Sequence, residues 1–82
     1  MKVPRNLSSG QLIQLLANFG YENTRQTGSH IRLTTQENGQ HHITIPAHNP
    51  LKIGTLNSIL RSISEHFSLT KDELLEKMFD ED

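Results

Sequence analysis

The sequence predicts a small α+β domain in which helices cover one face of a three-stranded antiparallel sheet. Two segments repeat apolar residues at helical spacing, and the segment between them alternates apolar and polar residues. An apolar helix stripe and an apolar sheet face are buried by packing against each other. We therefore expect a two-layer α-β-β-β-α sandwich, followed by an additional short C-terminal helix.

The first helix is predicted at about residues 9–19. Ser8 and Gln11 have the spacing of a capping box, in which each side chain satisfies a backbone N–H of the other residue. Gly20 stands where a left-handed residue ends many helices. The apolar stripe between them consists of Leu12, Leu15, Leu16 and Phe19.

Three strands are predicted to follow. Residues 21–27 form the first, and alternation after Gly28 and Ser29 indicates the second. Asn38 and Gly39 predict a hairpin turn, and Pro46 ends the third strand. The face expected under the helices carries Ile31, Leu33, Ile43 and Ile45. The face expected in solvent carries His30, Arg32, Thr34, His42 and Thr44.

The second helix is predicted at about residues 55–67, after a loop at 46–54 that contains two prolines. Its apolar stripe is Leu56, Ile59, Leu60, Ile63 and Phe67. Thr70 and Glu73 form another capping-box pair and predict the third helix. We expect residues 1–67 to form the α-β-β-β-α domain and residues 68–82 an acidic helical extension, in the same domain or as an appendage.

Composition narrows the possible functions only partly. The 82 residues include no cysteine, which excludes disulfides and thiolate zinc sites, and no apolar run long enough for a membrane span. Residues 1–6 lack the apolar run of a signal peptide, so we expect a cytoplasmic protein. The net charge of −1 combines +3 over residues 1–67 with −4 over residues 68–82. A mildly basic body of this kind is compatible with a phosphate backbone as partner.

His30 is the main candidate for chemistry. It follows Gly28, which allows close approach of a ligand, and Ser29, which supplies a hydroxyl. Arg32 lies two residues further on the same face, where a guanidinium can hold a phosphate. A histidine titrates near neutral pH and can move protons in RNA cleavage. The alternative is an ordinary polar residue on a solvated strand face.

Two further groups of residues have alternative interpretations. Lys52, Gly54 and Thr55 lie at the N-terminus of the second helix, where an anion can bind, although by themselves they are better explained by a plain capping turn. The five histidines raise the possibility of a metal site. Their spacing matches no zinc pattern, and His41 and His42 should point to opposite faces. We therefore expect no metal ligand among them.

The motifs of the chain resemble those of the HicA family of toxins from bacterial and archaeal toxin–antitoxin pairs. The resemblance runs from about residue 8 to 67. It rests on the capped first helix, Gly20-Tyr21, Thr27-Gly28-Ser29-His30, Ile43-Thr44-Ile45-Pro46-Ala47-His48 and the segment 52–60, which reads KIGTLNSIL. The joint occurrence of these motifs is specific, whereas each one alone is weak.

The resemblance implies a fold like the double-stranded-RNA-binding domain and a cofactor-independent ribonuclease that cleaves mRNA and inhibits translation. It implies that His30 is the catalytic residue, that Gly28 and Ser29 shape the motif, and that a HicB-like antitoxin masks the site. Together with the pattern of residues, it indicates Gly28, Ser29, Arg32 and Lys52 as contacts to RNA phosphate. His48 lies in the second recognisable block of the family without an assigned role.

Two alternatives to the ribonuclease stay open. The first is a non-catalytic module that holds RNA through the same fold, reading shape, phosphates and 2′-hydroxyls. The second is a protein that only binds a partner, with the acidic extension as its contact surface. The family usually ends soon after the second helix, so residues 68–82 are a departure. They could contact the antitoxin, pack as a third helix or mediate self-association.

Overall fold

The computed structural model describes residues 5–79. The elements are α1 (Ser9–Leu16) with a 3₁₀ turn (Ala17–Phe19), β1 (Glu22–Thr27), β2 (His30–Thr35), β3 (His41–Pro46), α2 (Ile53–His66) and α3 (Lys71–Phe79). This order confirms the predicted α+β class and the additional C-terminal helix. Residues 1–4 and the acidic residues 80–82, which contribute to the predicted charge of the two segments, lie outside the described residues.

The N-terminus of α1 is closed by the predicted capping box. Ser8 Oγ accepts from the Gln11 N–H at 3.1 Å, and Gln11 Oε1 accepts from the Ser8 N–H at 2.9 Å. The α-helix ends at Leu16, earlier than predicted, because its last turn tightens into a 3₁₀ turn. Gly20 then takes the left-handed conformation at φ 83°, which is the ending predicted from the sequence.

The sheet is antiparallel with the strand order β1-β2-β3, so β2 is central. Gly28 and Ser29 form a two-residue turn that pairs Thr27 with His30. At the other end of β2, Asn38 and Gly39 both have positive φ, 59° and 95°, as the predicted hairpin turn requires. These two turns set the register of all three strands.

Helix α2 begins at Ile53, two residues earlier than predicted. Lys52 is extended and acts as the N-cap residue, and its carbonyl oxygen accepts from the Leu56 N–H at 2.9 Å, which closes the first turn. Gly54 is therefore helical instead of belonging to the preceding loop. No side chain among residues 5–79 caps this terminus, and lysine at the N-cap position is not a capping signal in the sequence.

The hydrophobic core lies between the helices and one face of the sheet, which we call the inner face. Ile31, Leu33, Ile43 and Ile45 are all buried there, as the alternation predicted. From α3, Leu74, Leu75 and Met78 join the same core cluster. The predicted division of the chain at residue 67 stays a prediction. Within residues 5–79, no helix is both long and apolar enough to cross a membrane.

Candidate nucleic-acid interface

The second face of the sheet, the outer face, is not covered by the helices. Residues directly opposed across antiparallel strands point to the same face. Arg32 is opposed by Arg25 on β1 and Thr44 on β3, and His30 by Thr27 and Pro46. All six residues of β1 are exposed. The outer face is therefore a polar surface that carries His30 and two arginines.

His30 lies at the first position of β2, directly after the β1–β2 turn. Gly28 has φ 57°, the sign that a two-residue hairpin turn requires at its first position. The Ser29 carbonyl accepts from the Ala47 N–H at 2.7 Å, which holds the loop after β3 against this turn. The His30 side chain is exposed and makes no hydrogen bond within the described part of the chain. It is free to contact a ligand.

Arg32 is on the same face as His30, two residues along the strand. At the usual rise of a strand, the Cα atoms of the two residues are about 7 Å apart. Arg32 is exposed, and no carboxylate among residues 5–79 forms an ion pair with it. The predicted pairing of an exposed histidine with a cation is thus present in the structure. The two side chains are therefore exposed neighbours on the outer face.

Arg25 was missed by the sequence analysis. It lies directly opposite Arg32, so two like charges are neighbours on the outer face. The sequence does contain the information that places Arg25. A two-residue turn at Gly28 and Ser29 pairs Thr27 with His30, and therefore Arg25 with Arg32. Counting outward from the turn would have found this pair.

The exposure of Thr34 differs from the expectation. It is on the outer face as predicted, but it is only 8% exposed. Its hydroxyl is hydrogen-bonded to Thr24 Oγ1 at 3.0 Å and to His42 Nδ1 at 2.8 Å. A register shift between Asn23 and Arg25 makes Thr24 the extra residue of a bulge, and its side chain covers Thr34. The side chains of Thr24 and His42 therefore shield Thr34 from solvent.

A shallow depression of about 310 Å³ lies beside this threonine network. We call it the arginine depression. It is lined by Arg25, Arg32, Thr34, Gln36, Gln40 and His42, with Thr24 at its rim. It extends the candidate site from His30 toward the β2–β3 turn.

Lys52 is separate from this group. It is exposed at the N-terminus of α2, after Leu51, whose N–H bonds to the Leu7 carbonyl at 2.8 Å. No hydrogen bond or ion pair joins Lys52 to the residues around His30 in the described part of the chain. The structure thus brings Gly28, Ser29, His30 and Arg32 together on β2 and the turn before it, whereas Lys52 lies at the N-terminus of α2. Its role as an RNA contact stays a prediction.

His41 differs from the outer-face histidines because it points to the inner face. Its Nδ1 is hydrogen-bonded to the Tyr21 hydroxyl at 2.7 Å and its Nε2 to Ser62 Oγ at 3.1 Å. Its ring stacks on His66 at 4.4 Å between centroids. Burial, followed by the neighbouring His66 and His42, lowers the pKa of His41, and burial raises the pKa of Tyr21 to about 12. His41 is a structural group.

The five histidines lie on three secondary-structure elements and one loop. Among residues 5–79, no three histidine or acidic side chains are grouped so that they could hold a metal ion. His30 and His42 lie on the outer face, His41 on the inner face, His48 in the loop after β3 and His66 on α2.

These observations define a class: a small α+β domain with an uncovered sheet face that presents a histidine and arginines. The family model described as HicA toxin of bacterial toxin-antitoxin systems matches residues 9–64. The chain therefore belongs to the HicA toxin family. No curated protein and no solved structure gives a significant match to the chain.

Proposed function

We propose that this protein is a ribonuclease toxin that cleaves mRNA with His30 as the catalytic residue and so inhibits translation in the cytoplasm. The observation that carries the proposal is the placement of His30, exposed on the outer face and two residues along β2 from Arg32. Family membership supports the toxin function. The reaction we propose uses the 2′-hydroxyl of RNA as nucleophile and requires no resident cofactor.

The chemistry follows from what an exposed imidazole can do. His30 accepts the proton of the 2′-hydroxyl while that oxygen attacks the adjacent phosphorus. A bond forms between the 2′-oxygen and phosphorus, and the bond from phosphorus to the 5′-oxygen breaks. The leaving 5′-oxygen takes a proton from water, so the products are a 2′,3′-cyclic phosphate and a 5′-hydroxyl. Arg32, two residues along β2, holds the neighbouring phosphate of the same strand and so keeps the reacting phosphate at His30.

The proposed partner in the cell is a HicB-like antitoxin that covers the outer face. Two observations support this partner. The family is one of toxin–antitoxin pairs, and no helix among residues 5–79 covers the outer face. A protein seated on it would exclude RNA from His30.

Cleavage of labelled single-stranded RNA by the purified protein in EDTA tests the proposal. We expect cleavage by the parent and a loss of about 10²–10⁴-fold in His30→Ala, the usual contribution of a general acid–base group. Because the His30 side chain makes no hydrogen bond within residues 5–79, the variant should melt at the parent temperature. Gln14→Ala, at an exposed position of α1, is the matched control.

Growth arrest on expression should follow the same pattern and disappear in His30→Ala only. Cleavage or arrest that persists in this variant would contradict the role of His30. If the parent leaves RNA intact but retains it on a filter, with affinity falling steeply in salt, the domain is a non-catalytic RNA-binding module. If RNA is neither cut nor retained, the partner-only alternative gains support.

A further inference from the structure

The arginine depression contains a feature that folding alone does not explain. Arg25 and Arg32 are directly opposed across β1 and β2. Like charges in this position destabilise a strand pair. Neither guanidinium has a carboxylate partner among residues 5–79, although Glu22 is on the same face, opposite Thr34. An anion bound between the two arginines would relieve their repulsion and accept hydrogen bonds from both.

The rest of the depression is polar and partly pre-organised. Gln36 and Gln40 line the end toward the β2–β3 turn, and each amide can both donate and accept hydrogen bonds. His42 is oriented by the bond from its Nδ1 to the Thr34 hydroxyl, which in turn is held by Thr24. Amide and imidazole groups are suited to the edge of a nucleobase, whose donors and acceptors alternate. The depression therefore combines phosphate-binding and base-binding chemistry.

The spacing along β2 relates this depression to His30. Arg32 is two residues from His30, about 7 Å, which is comparable to the separation of neighbouring phosphates on one RNA strand. Thr34, opposite His42, is four residues from His30, about 13 Å. His42 is therefore too far away to act on the phosphate at His30. The two ends of the outer face are therefore spaced to contact different nucleotides of one strand.

We propose that the arginine depression binds the nucleotide next to the cleavage point, with its phosphate between Arg25 and Arg32 and its base against Gln36, Gln40 and His42. This inference rests on the proposed ribonuclease function and adds a subsite to it. Arg25 is then a substrate-binding residue, and the depression determines which base is preferred beside the cleaved bond.

The test measures binding separately from cleavage. The probe is a fluorescently labelled single-stranded RNA of about ten nucleotides with 2′-O-methyl groups, which lacks the attacking hydroxyl and stays intact. We expect Arg25→Ala to weaken its binding about tenfold or more, because a charge-assisted hydrogen bond is lost. The salt dependence of log affinity should fall by about 1 for the lost phosphate contact. Arg61→Ala, an exposed arginine on α2, is the control for net charge.

A second variant separates binding from a structural role. Arg25→Glu replaces the like-charged pair with an opposite pair, so its melting temperature should equal or exceed that of the parent. Its RNA affinity should nevertheless fall further than that of Arg25→Ala. Lower stability together with unchanged binding would show that Arg25 serves the fold, and would overturn the proposal.

Base preference tests the other end of the depression. With 2′-O-methyl homopolymers of the four bases, Gln40→Ala should reduce the differences in affinity among them, and unchanged differences would overturn the base contact. Equal losses in Arg25→Ala and Arg61→Ala would mean general electrostatic attraction and would also overturn the subsite. If the parent fails to cleave unmodified RNA but Arg25→Ala still weakens binding specifically, the subsite stands and the ribonuclease function fails.

Discussion

The two faces of the sheet show how a short protein separates folding from function. On β3, His41 and His42 are adjacent in sequence and point to opposite faces. His41, on the inner face, has both ring nitrogens hydrogen-bonded and stacks on His66. His42, on the outer face, has one bond, to Thr34, and lines an open depression. Strand alternation sends the two neighbouring histidines to opposite faces, and the elements packed on each face then give them these different environments.

The two faces also differ in whether their polar and charged groups have partners. The inner face is apolar apart from groups whose hydrogen bonds are satisfied, and no buried side-chain polar atom in residues 5–79 lacks a partner. The outer face keeps Arg25 opposite Arg32 at a cost to stability. Because the opposed arginines cost stability, the outer face is the face on which a ligand is expected.

The largest expected effect on stability comes from a substitution in the core on the inner face. Leu33 is fully buried on the central strand, so Leu33→Ala should lower the free energy of unfolding by about 2–5 kcal/mol, from lost burial and the cavity left behind. That is a large part of the stability of a small domain. Urea unfolding followed by circular dichroism measures it.

Thr44→Ala is the matched substitution on the outer face, at an exposed position opposite Arg32. It should change the free energy of unfolding by no more than about 0.5 kcal/mol. Comparable losses in Leu33→Ala and Thr44→Ala would mean that the two faces do not divide folding from function as described.

Much of this division was readable from the sequence, because it depends on local rules. The capping boxes at Ser8 and Thr70, the turn at Asn38 and Gly39, and the assignment of apolar residues to the inner face all follow from spacing over a few residues. The expected exposure of His30 and Arg32 followed from the same alternation.

What the sequence did not reveal depends on tertiary placement. The bulge at Thr24 has no local signal, so the shielding of Thr34 was missed. The stacking of His41 on His66 joins residues from β3 and α2, which only the packed helix brings together. The α2 start at Ile53 lacks a side-chain cap. Arg25 is the exception, since the length of the β1–β2 turn was enough to find it.

An intermediate effect on stability is expected when each of the two adjacent histidines is replaced by alanine. His41→Ala removes the partner of both the Tyr21 hydroxyl and Ser62 Oγ, and should cost about 1–3 kcal/mol in unfolding free energy. His42→Ala removes one bond at an exposed site and should cost less than about 1 kcal/mol. For RNA binding we expect the reverse order. A variant of His42 that is less stable than that of His41 would contradict the assignment of the two faces.

The smallest expected effect is a pH dependence of stability that originates on the inner face. Burial and then the neighbouring His66 and His42 lower the pKa of His41 in the folded chain, whereas in the unfolded chain it stays near 6.5. As pH falls through 6.5, the unfolded state therefore binds a proton that the folded state still resists. The free energy of unfolding should decrease from neutral to mildly acidic pH, and the decrease should stop below the lowered pKa.

The variant that tests this is His41→Gln, which keeps a hydrogen-bonding side chain and removes the titration. Urea unfolding at several pH values between about 5 and 8, the range in which a histidine titrates, should show a flatter dependence in His41→Gln than in the parent. His30→Gln removes an exposed imidazole that contacts neither Tyr21 nor His66, and serves as the control. An equal flattening in both variants would contradict the assignment to His41. Flattening in His41→Gln alone would show that the inner face loses stability when its histidine is charged.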